Sequence, residues 1–304
     1  MKKKELIEHE REVSAMQDEK LSEFQQMGDI TNIESRSDIR LYHGDCLEVM
    51  DKLIADGVII DAIITDPPYG TTAYKWDSVI PFDEMWIRLN KLIKPNGAIV
   101  LFGSEPFSSA LRMSNIKNYK YDWYWKKTKA NGFQHSKNRP MRAIETISVF
   151  SNSPMGHRSQ LKDRRMEYNP QGIIPSGKRK VTESTHSGNT MGGIDKKSSR
   201  PNQVGIEYES YTNFPRDVLE YSNMEKRGLH PTQKPVALME YLIKTYTNED
   251  EVVLDFTAGS FSTGVACVNT NRKGIMIEQD DKYFDVGVSR VEKAYDDKGI
   301  DDGK

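Results

Sequence analysis

The 304 residues carry 43 Lys and Arg against 45 Asp and Glu, a formal charge of -2, so no global basic field marks a simple nucleic-acid binder. The length holds a sizeable core, as one large domain or as a domain with a substantial insertion. Two cysteines without framework spacing, a lysine-rich start with no apolar stretch after it, and no run of membrane-spanning length lead to the expectation of a soluble cytoplasmic protein in a reduced compartment.

The first 37 residues are charged and rich in helix formers. Leu6, Val13, Met16, Leu21, Phe24 and Met27 give only an irregular apolar stripe, so a loosely attached or self-associating helical extension is expected over 1–37. The pattern then alternates. IRLYHGD from Ile39 reads as a strand, and CLEVMDKLIADG from Cys46 as a helix closed by Gly57. VIIDAIITD, Val58 to Asp66, is a continuous β-branched apolar run, as in a strand covered on both faces. Phe82, Met85, Trp86, Leu89, Leu92 and Ile93 recur at helical spacing up to KPNG. AIVLFGS is another buried strand, EPFSSALRMSN a helix, and YDWYWKK and AIETISVFS two more strands.

From about 152 to 228 this periodicity disappears into a Ser-, Gly-, Asn- and Pro-rich basic stretch containing GKRK and DKKSSRP. An irregular segment of that length inside a compact domain is functional or disordered. The alternation resumes with PVALMEYLIKTYT as a helix, EVVLDF as a strand, GVACVNTNRK as a helix, GIMIE as a strand and KYFDVGVSRVEKAY as a helix. DDKGIDDGK reads as a frayed tail. Strands separated by helices predict a doubly wound, mostly parallel α/β sheet, divided as 38–151 and 229–304 around the insertion 152–228.

Ligands of open α/β sheets bind above the carboxyl ends of the strands. Three acids fall at such ends: Asp66 after AIIT, Asp255 after EVVL and Glu278 after GIMI. VLDFTAGSFSTG couples Asp255 to small residues that open a helix and let backbone N–H groups approach a ligand. It lacks the Gly-Lys-Ser/Thr ending of a phosphate-binding P-loop. An acid about twenty residues on, Glu278, suits a ribose diol. Alone, this loop fits any adenosine-containing cofactor.

Joined to DPPY at Asp66–Tyr69 it says more. With HPTQKP at His230–Pro235 and DFTAGS at Asp255–Ser260, the sequence resembles the S-adenosylmethionine-dependent amino-methyltransferases that modify exocyclic amines of DNA bases. The order, catalytic motif first and glycine loop last, resembles their circularly permuted beta class. The resemblance spans roughly residues 41–295 and places the insertion where the family carries its target-recognition region. It implies a Rossmann-like methyltransferase sheet, S-adenosylmethionine as cofactor and double-stranded DNA as partner. It leaves room for a homodimer and a companion restriction endonuclease.

An exocyclic amine is a poor nucleophile because its lone pair is delocalised into the ring. Two acceptors on its two N–H bonds favour rehybridisation toward an incoming methyl group. By resemblance, Asp66 supplies one acceptor and the Pro67 carbonyl the other, with Pro68 completing the rigid turn and Tyr69 stacking on a base flipped from the duplex. Orientation and charge stabilisation are the expected work of Asp66, since an ordinary carboxylate is a weak base. No metal is expected. Taken alone, DPPY is equally well a sharp turn.

The resemblance sets Asp255 and the loop residues Thr257, Gly259, Ser260, Phe261 and Ser262 around the methionine portion. Glu278 goes to the ribose, Asp45 with Cys46 to the adenine, and Lys234 to the methionine carboxylate. Each has a plainer role available, Asp45 and Ser262 as helix caps and Lys234 as a surface charge. Two departures stand out. Phe261 replaces a second glycine of the family loop, where a positive φ would crowd a large side chain. Ile144 stands where relatives often carry histidine.

Locally the charge is lopsided. Between Arg112 and Arg142 nine basic residues face one acid, Asp122, and Trp123, Tyr124, Trp125 and Phe133 are interleaved. Lys126, Lys127, Lys129, Lys137, Arg139 and Arg142, with Lys178, Arg179 and Lys180 of the insertion, are the candidate DNA contacts. Many of those rings are equally explained as core. DPPY with aspartate leans toward adenine-N6. Cytosine-N4 methylation, methylation of protein or RNA, and a non-catalytic DNA-binding homologue are the alternatives.

Overall fold

The computed structural model describes residues 31–35, 38–71, 77–156, 164–181, 207–223 and 233–299, with the side chains of 31–35, 178–181, 207 and 208 outside that description. Its centre is a nine-stranded sheet in the order β1-β2-β11-β10-β3-β4-β6-β5-β9. These strands are β1 (Thr31–Ser35), β2 (Ile39–His43), β3 (Ile60–Thr65), β4 (Ile93–Gly103), β5 (Tyr119–Asn131), β6 (Arg142–Phe150), β9 (Val218–Tyr221), β10 (Val252–Asp255) and β11 (Lys273–Glu278). β2, β11, β10, β3 and β4 are successively parallel, and β9 is parallel to β5. β1 and β6 run antiparallel to their neighbours. The expected doubly wound, mostly parallel sheet is what the chain forms.

Apolar runs in the parallel strands follow from helices on both faces. Along β4, Ala98, Val100 and Phe102 point to one layer, and Ile99 and Leu101 to the other. One layer is closed by α4 (Val236–Tyr246), α5 (Ser262–Thr270) and α6 (Asp281–Lys298), through residues such as Leu242, Ala266 and Val291. The other is closed by α1 (Cys46–Ala55), α2 (Phe82–Leu92) and α3 (Phe107–Ser114), through Met50, Leu89 and Leu111. Each fully buried Leu, Ile, Met or Phe contributes about 1.5–3 kcal/mol, so the two layers together drive the fold. β2 lies beside β11, so the junction cut by the permutation would join neighbouring strands.

Three expectations need revision. Thr31–Ser35 pairs with β2 as a strand and is not part of a helical extension, while residues 1–30 lie outside the described residues. The stretch 152–228 is not uniformly irregular. β7 (Ile174–Val181) and β8 (Glu207–Thr212) form a separate antiparallel pair, and β9 joins the main sheet. Its flanks also enter the core, since Met166 and Leu219 are buried there. The tail is helical through Lys298, where Gly299 at φ 69° closes α6. Among the described residues no helix is long and apolar enough to cross a membrane.

A buried hydroxyl ties the last part of the chain to β5. Tyr246 on α4 accepts from Trp123 Nε1 at 2.6 Å and pairs with the Tyr121 hydroxyl at 3.0 Å. Tyr246→Phe removes the acceptor of a buried indole N–H, and an unsatisfied donor costs about 1–3 kcal/mol. The expected result is a lower urea midpoint with an unchanged denaturant slope, read by intrinsic fluorescence.

Candidate active site

The site lies above the carboxyl ends of the parallel strands. β3 ends at Thr65, and its next four residues, Asp66–Tyr69, turn sharply because Pro67 and Pro68 cannot extend the ladder. The turn is clamped from below by Asp77, whose carboxylate accepts from the N–H groups of Tyr69 at 2.8 Å, Gly70 at 2.9 Å and Thr71 at 2.9 Å. The Tyr69 hydroxyl donates to the Asp66 carboxylate, and its ring packs 5.1 Å from that of Phe107.

β10 is the neighbour of β3, so the glycine loop opens on the same edge. The two ends are tied by hydroxyls. Thr65 Oγ1 donates to Asp255 Oδ1 at 2.5 Å, and Thr257 Oγ1 donates to the Asp66 carbonyl at 3.1 Å. Asp255 also accepts from the Thr263 hydroxyl and from the Thr257 N–H at 3.2 Å. Burial pushes the Asp255 carboxyl up to about 6, against the pull of the Thr263 and Thr65 hydrogen bonds.

At the end of β11, Glu278 accepts from Gly259 N at 2.8 Å through one oxygen, and from Gln279 N at 3.0 Å and Asp280 N at 2.9 Å through the other. Burial raises its pKa. Asp45 caps α1 by accepting from Leu47 N at 2.8 Å. Next to it, burial and then the Asp45 charge push the Cys46 thiol up to about 12, so it is no thiolate.

A line of alternating charge, its lysines buried and its carboxylates half-buried, runs away from Asp66. Lys234, just before α4, donates to Asp66 and stands 3.4 Å from Glu145 Oε2, an ionic contact without a directed hydrogen bond. Glu145 Oε1 in turn accepts from Lys127. Two ammoniums and two carboxylates thus leave no net charge. Rings of Phe102 and Trp125 lie 5.1 Å and 6.0 Å from the Lys234 ammonium. Burial opposes that ammonium, but Asp66 and Glu145 outweigh it and hold its pKa above the ordinary lysine value. For Asp66, burial raises the pKa and Lys234 only partly offsets it. Glu145 is lowered, because its two lysines overcome its burial.

One cavity of about 520 Å³ joins these parts. Asp66, Pro67, Pro68 and Tyr69 line it, together with Asp45, Cys46, Lys234, Asp255, Thr257, Gly259, Ser260, Ser262 and Glu278. Phe261 does not. Its backbone is left-handed at φ 57°, and its fully buried ring packs away from the cavity against Phe284 and Gly287. A Cβ on Gly287 would stand 2.4 Å from that ring, so the glycine makes the room. Lys234 is engaged by Asp66 and Glu145, which differs from its expected pairing with a methionine carboxylate. His230 lies outside the described residues.

The candidate DNA contacts divide. Lys127 is buried in the ion line, so its charge is already neutralised and it presents no surface cation. Lys126 is exposed and pairs with Glu220 at 2.8 Å. Lys129, Lys137, Arg139 and Arg142 are exposed on the β5–β6 hairpin, and Arg142 reaches the cavity. Trp123 and Trp125 are core. The side chains of Lys178, Arg179 and Lys180 lie outside the described residues. The sequence reading missed Glu145, Asp77, Thr65 and Thr263. The first carried a signal, as a carboxylate in the apolar run AIETISVF. Among the described residues no cluster of His, Cys, Asp and Glu is arranged to hold a metal.

A family model described as DNA methylase, covering N6 and N4 methyltransferases, matches residues 60–289. The chain belongs to this DNA methylase family. It is 25% identical to the DNA adenine methyltransferase YhdJ of Escherichia coli over 84% of this chain and 83% of the relative. It is 25% identical to the Type II methyltransferase M.HpaI of Haemophilus parainfluenzae over 85% and 76%. Among solved structures, the M1.HpyAVI–SAM complex superposes with a TM-score of 0.54 at 26% identity, over 83% of this chain and 98% of that one. PvuII DNA methyltransferase, cytosine-N4-specific, superposes at 0.53 with 19% identity over 86% and 91%, a likeness of fold alone.

S-adenosylmethionine is the cofactor of this methylase, and the cavity fits it. The ligand carries a sulfonium and an ammonium, and the strand ends present Asp45, Asp255 and Glu278 to a cation and to hydroxyls. Gly259 at φ 56° brings backbone to the cavity wall with no side chain in the way. Phe261→Gly relieves left-handed strain of about 1–2 kcal/mol but empties a ring-sized space whose loss costs about 3–5 kcal/mol. The variant is therefore expected to lose about 2 kcal/mol in urea unfolding, while calorimetry finds S-adenosylmethionine affinity within about threefold of the parent, because the ring faces the core.

Proposed function

We propose that this methylase transfers the methyl group of S-adenosylmethionine to N6 of an adenine flipped out of double-stranded DNA. The observation that carries the reading is the sharing of one cavity by the Asp66–Tyr69 turn and the Gly259 loop. The adenine choice is supported by the aspartate before PPY and by the likeness to a DNA adenine methyltransferase.

In this reading Asp66 keeps its capacity to accept from the amine. A carboxylate has about four lone-pair directions, and Tyr69 and Lys234 take one on each oxygen. The Pro67 carbonyl is the second acceptor, in a turn fixed by Asp77 from below and by Thr257 at the Asp66 carbonyl. Together they orient the amine and stabilise the positive charge that grows on it. When bound, the cofactor supplies an electrophilic methyl on a sulfonium leaving group. The proton that the methylated amine sheds passes to the Asp66 carboxylate, whose pKa burial raises and Lys234 partly lowers.

Incubation of the protein with labelled S-adenosylmethionine and unmethylated plasmid, followed by nucleoside mass spectrometry, is expected to yield N6-methyladenine. Label in N4-methylcytosine replaces the adenine reading, and no label in DNA overturns the transfer itself. Methylation-sensitive sequencing of the plasmid then maps the site. Asp66→Ala is expected to reduce the single-turnover rate by about 10³-fold or more, with cofactor affinity little changed.

The acid side of the rate profile reports Asp66, which must be ionised to accept from the amine. Lys234 lowers its pKa, so Lys234→Met is expected to move the acid limb to higher pH. A limb that stays in place separates Asp66 from the rate-governing ionisation.

A further inference from the structure

The β5–β6 hairpin rises from the catalytic edge and carries a large exposed aromatic. Asn131 and Arg142, opposite each other at its open end, line the cavity. Between them Phe133 is 78% exposed, the most exposed large hydrophobic among the described residues. It opens a short 3₁₀ turn, Phe133–His135, entered through Gly132 at φ 89°. The turn is hydrogen-bonded, His135 N to Gly132 O at 3.0 Å and Ser136 N to Phe133 O at 3.0 Å. Asn223 secures the strand below it, accepting from Lys129 N at 3.1 Å and donating to Lys129 O at 2.9 Å. The ring is thus held out on ordered backbone.

Its own hairpin is of one sign. No acid occurs between Asp122 and Glu145, and Lys129, Lys137, Arg139 and Arg142 are exposed on the same hairpin. Exposing an apolar ring to water is unfavourable by the area it fails to bury, and a basic hairpin discourages its burial against another basic surface. A polyanion with an apolar interior fits both features. Phosphates take the cations, and stacked bases take the ring.

We propose that Phe133 is the wedge of this methylase: it enters the duplex at the target and occupies the space left by the departing base. The inference rests on the methyl-transfer reading above and makes Phe133 a positioning residue, since it acts on the duplex and not on the reacting amine. Arg142 and Lys129 hold the flanking phosphates while the ring replaces the lost stacking. Unpairing costs a few kcal/mol, and that is the cost the ring offsets.

The test uses the full chain and synthetic duplexes carrying the mapped site. In one the target base is normally paired, and in the other it faces an abasic position that removes the cost of unpairing. Phe133→Ala is expected to slow single-turnover methylation of the paired duplex by about 10-fold or more, and of the abasic-facing duplex by less than about threefold. Phe133→Leu, still bulky and apolar, is expected to stay near the parent on both. Equal slowing on the two duplexes, or no slowing on either, overturns the wedge. If the parent protein methylates no site, the transfer reading fails and the wedge fails with it. Cofactor affinity of Phe133→Ala, measured by calorimetry, is expected to be unchanged because the ring touches neither core nor cofactor loop.

Discussion

Two threonine hydroxyls bind the ends of β3 and β10 together, and the site depends on that bond. Thr65 reaches across to Asp255, and Thr257 reaches back to the Asp66 carbonyl. The partners are 190 and 191 residues apart in sequence, yet they are neighbours because their strands are parallel and adjacent. A right-handed crossover between parallel strands always returns the chain to the same edge. That geometry makes the permuted order harmless. Whichever half is written first, both loops open over the same carboxyl ends.

Around this tie the electrostatics offset part of the cost of burying Asp66 and hold it in place. A lone carboxylate in such surroundings would neutralise itself. The line from Asp66 through Lys234 and Glu145 to Lys127 balances its charges, and no member is left to bear the full desolvation alone. Its stabilising worth is small beside the two apolar layers; its effect is to fix where one carboxylate points. The cofactor end follows another logic. Glu278 already accepts the Gly259 N–H of the neighbouring loop and Asp45 the Leu47 N–H of α1, so their orientation is set before any ligand arrives. Phe261 completes this end by packing its buried ring into the space that Gly287, without a side chain, leaves open.

Most of the fold was legible because periodicity and length settled it. VIIDAIITD and AIVLFGS announced strands covered on both faces, and the spacing of Met85, Trp86, Leu89 and Leu92 announced the helix that covers them. Strand β1 and the β7–β8 pair were not legible. Their residues lack strict alternation, and long-range pairing partners decided them. In the site, DPPY and the glycine loop could be found because they are contiguous. Asp77 and Glu145 act across space, and nothing nearby in sequence reveals the groups they hold. Lys127 misled for the same reason. A lysine in a basic run reads as a surface charge until its strand places it diagonally across from Glu145, the register partner of Trp125, below the surface.

The most direct measurement is a crystal structure with S-adenosylmethionine bound. The methionine portion is expected along residues 255–262, the ribose at Glu278, and the transferable methyl turned toward Asp66 and the Pro67 carbonyl. A cofactor seated away from the Gly259 loop, or with its methyl turned from the Asp66–Tyr69 turn, would contradict the single shared site.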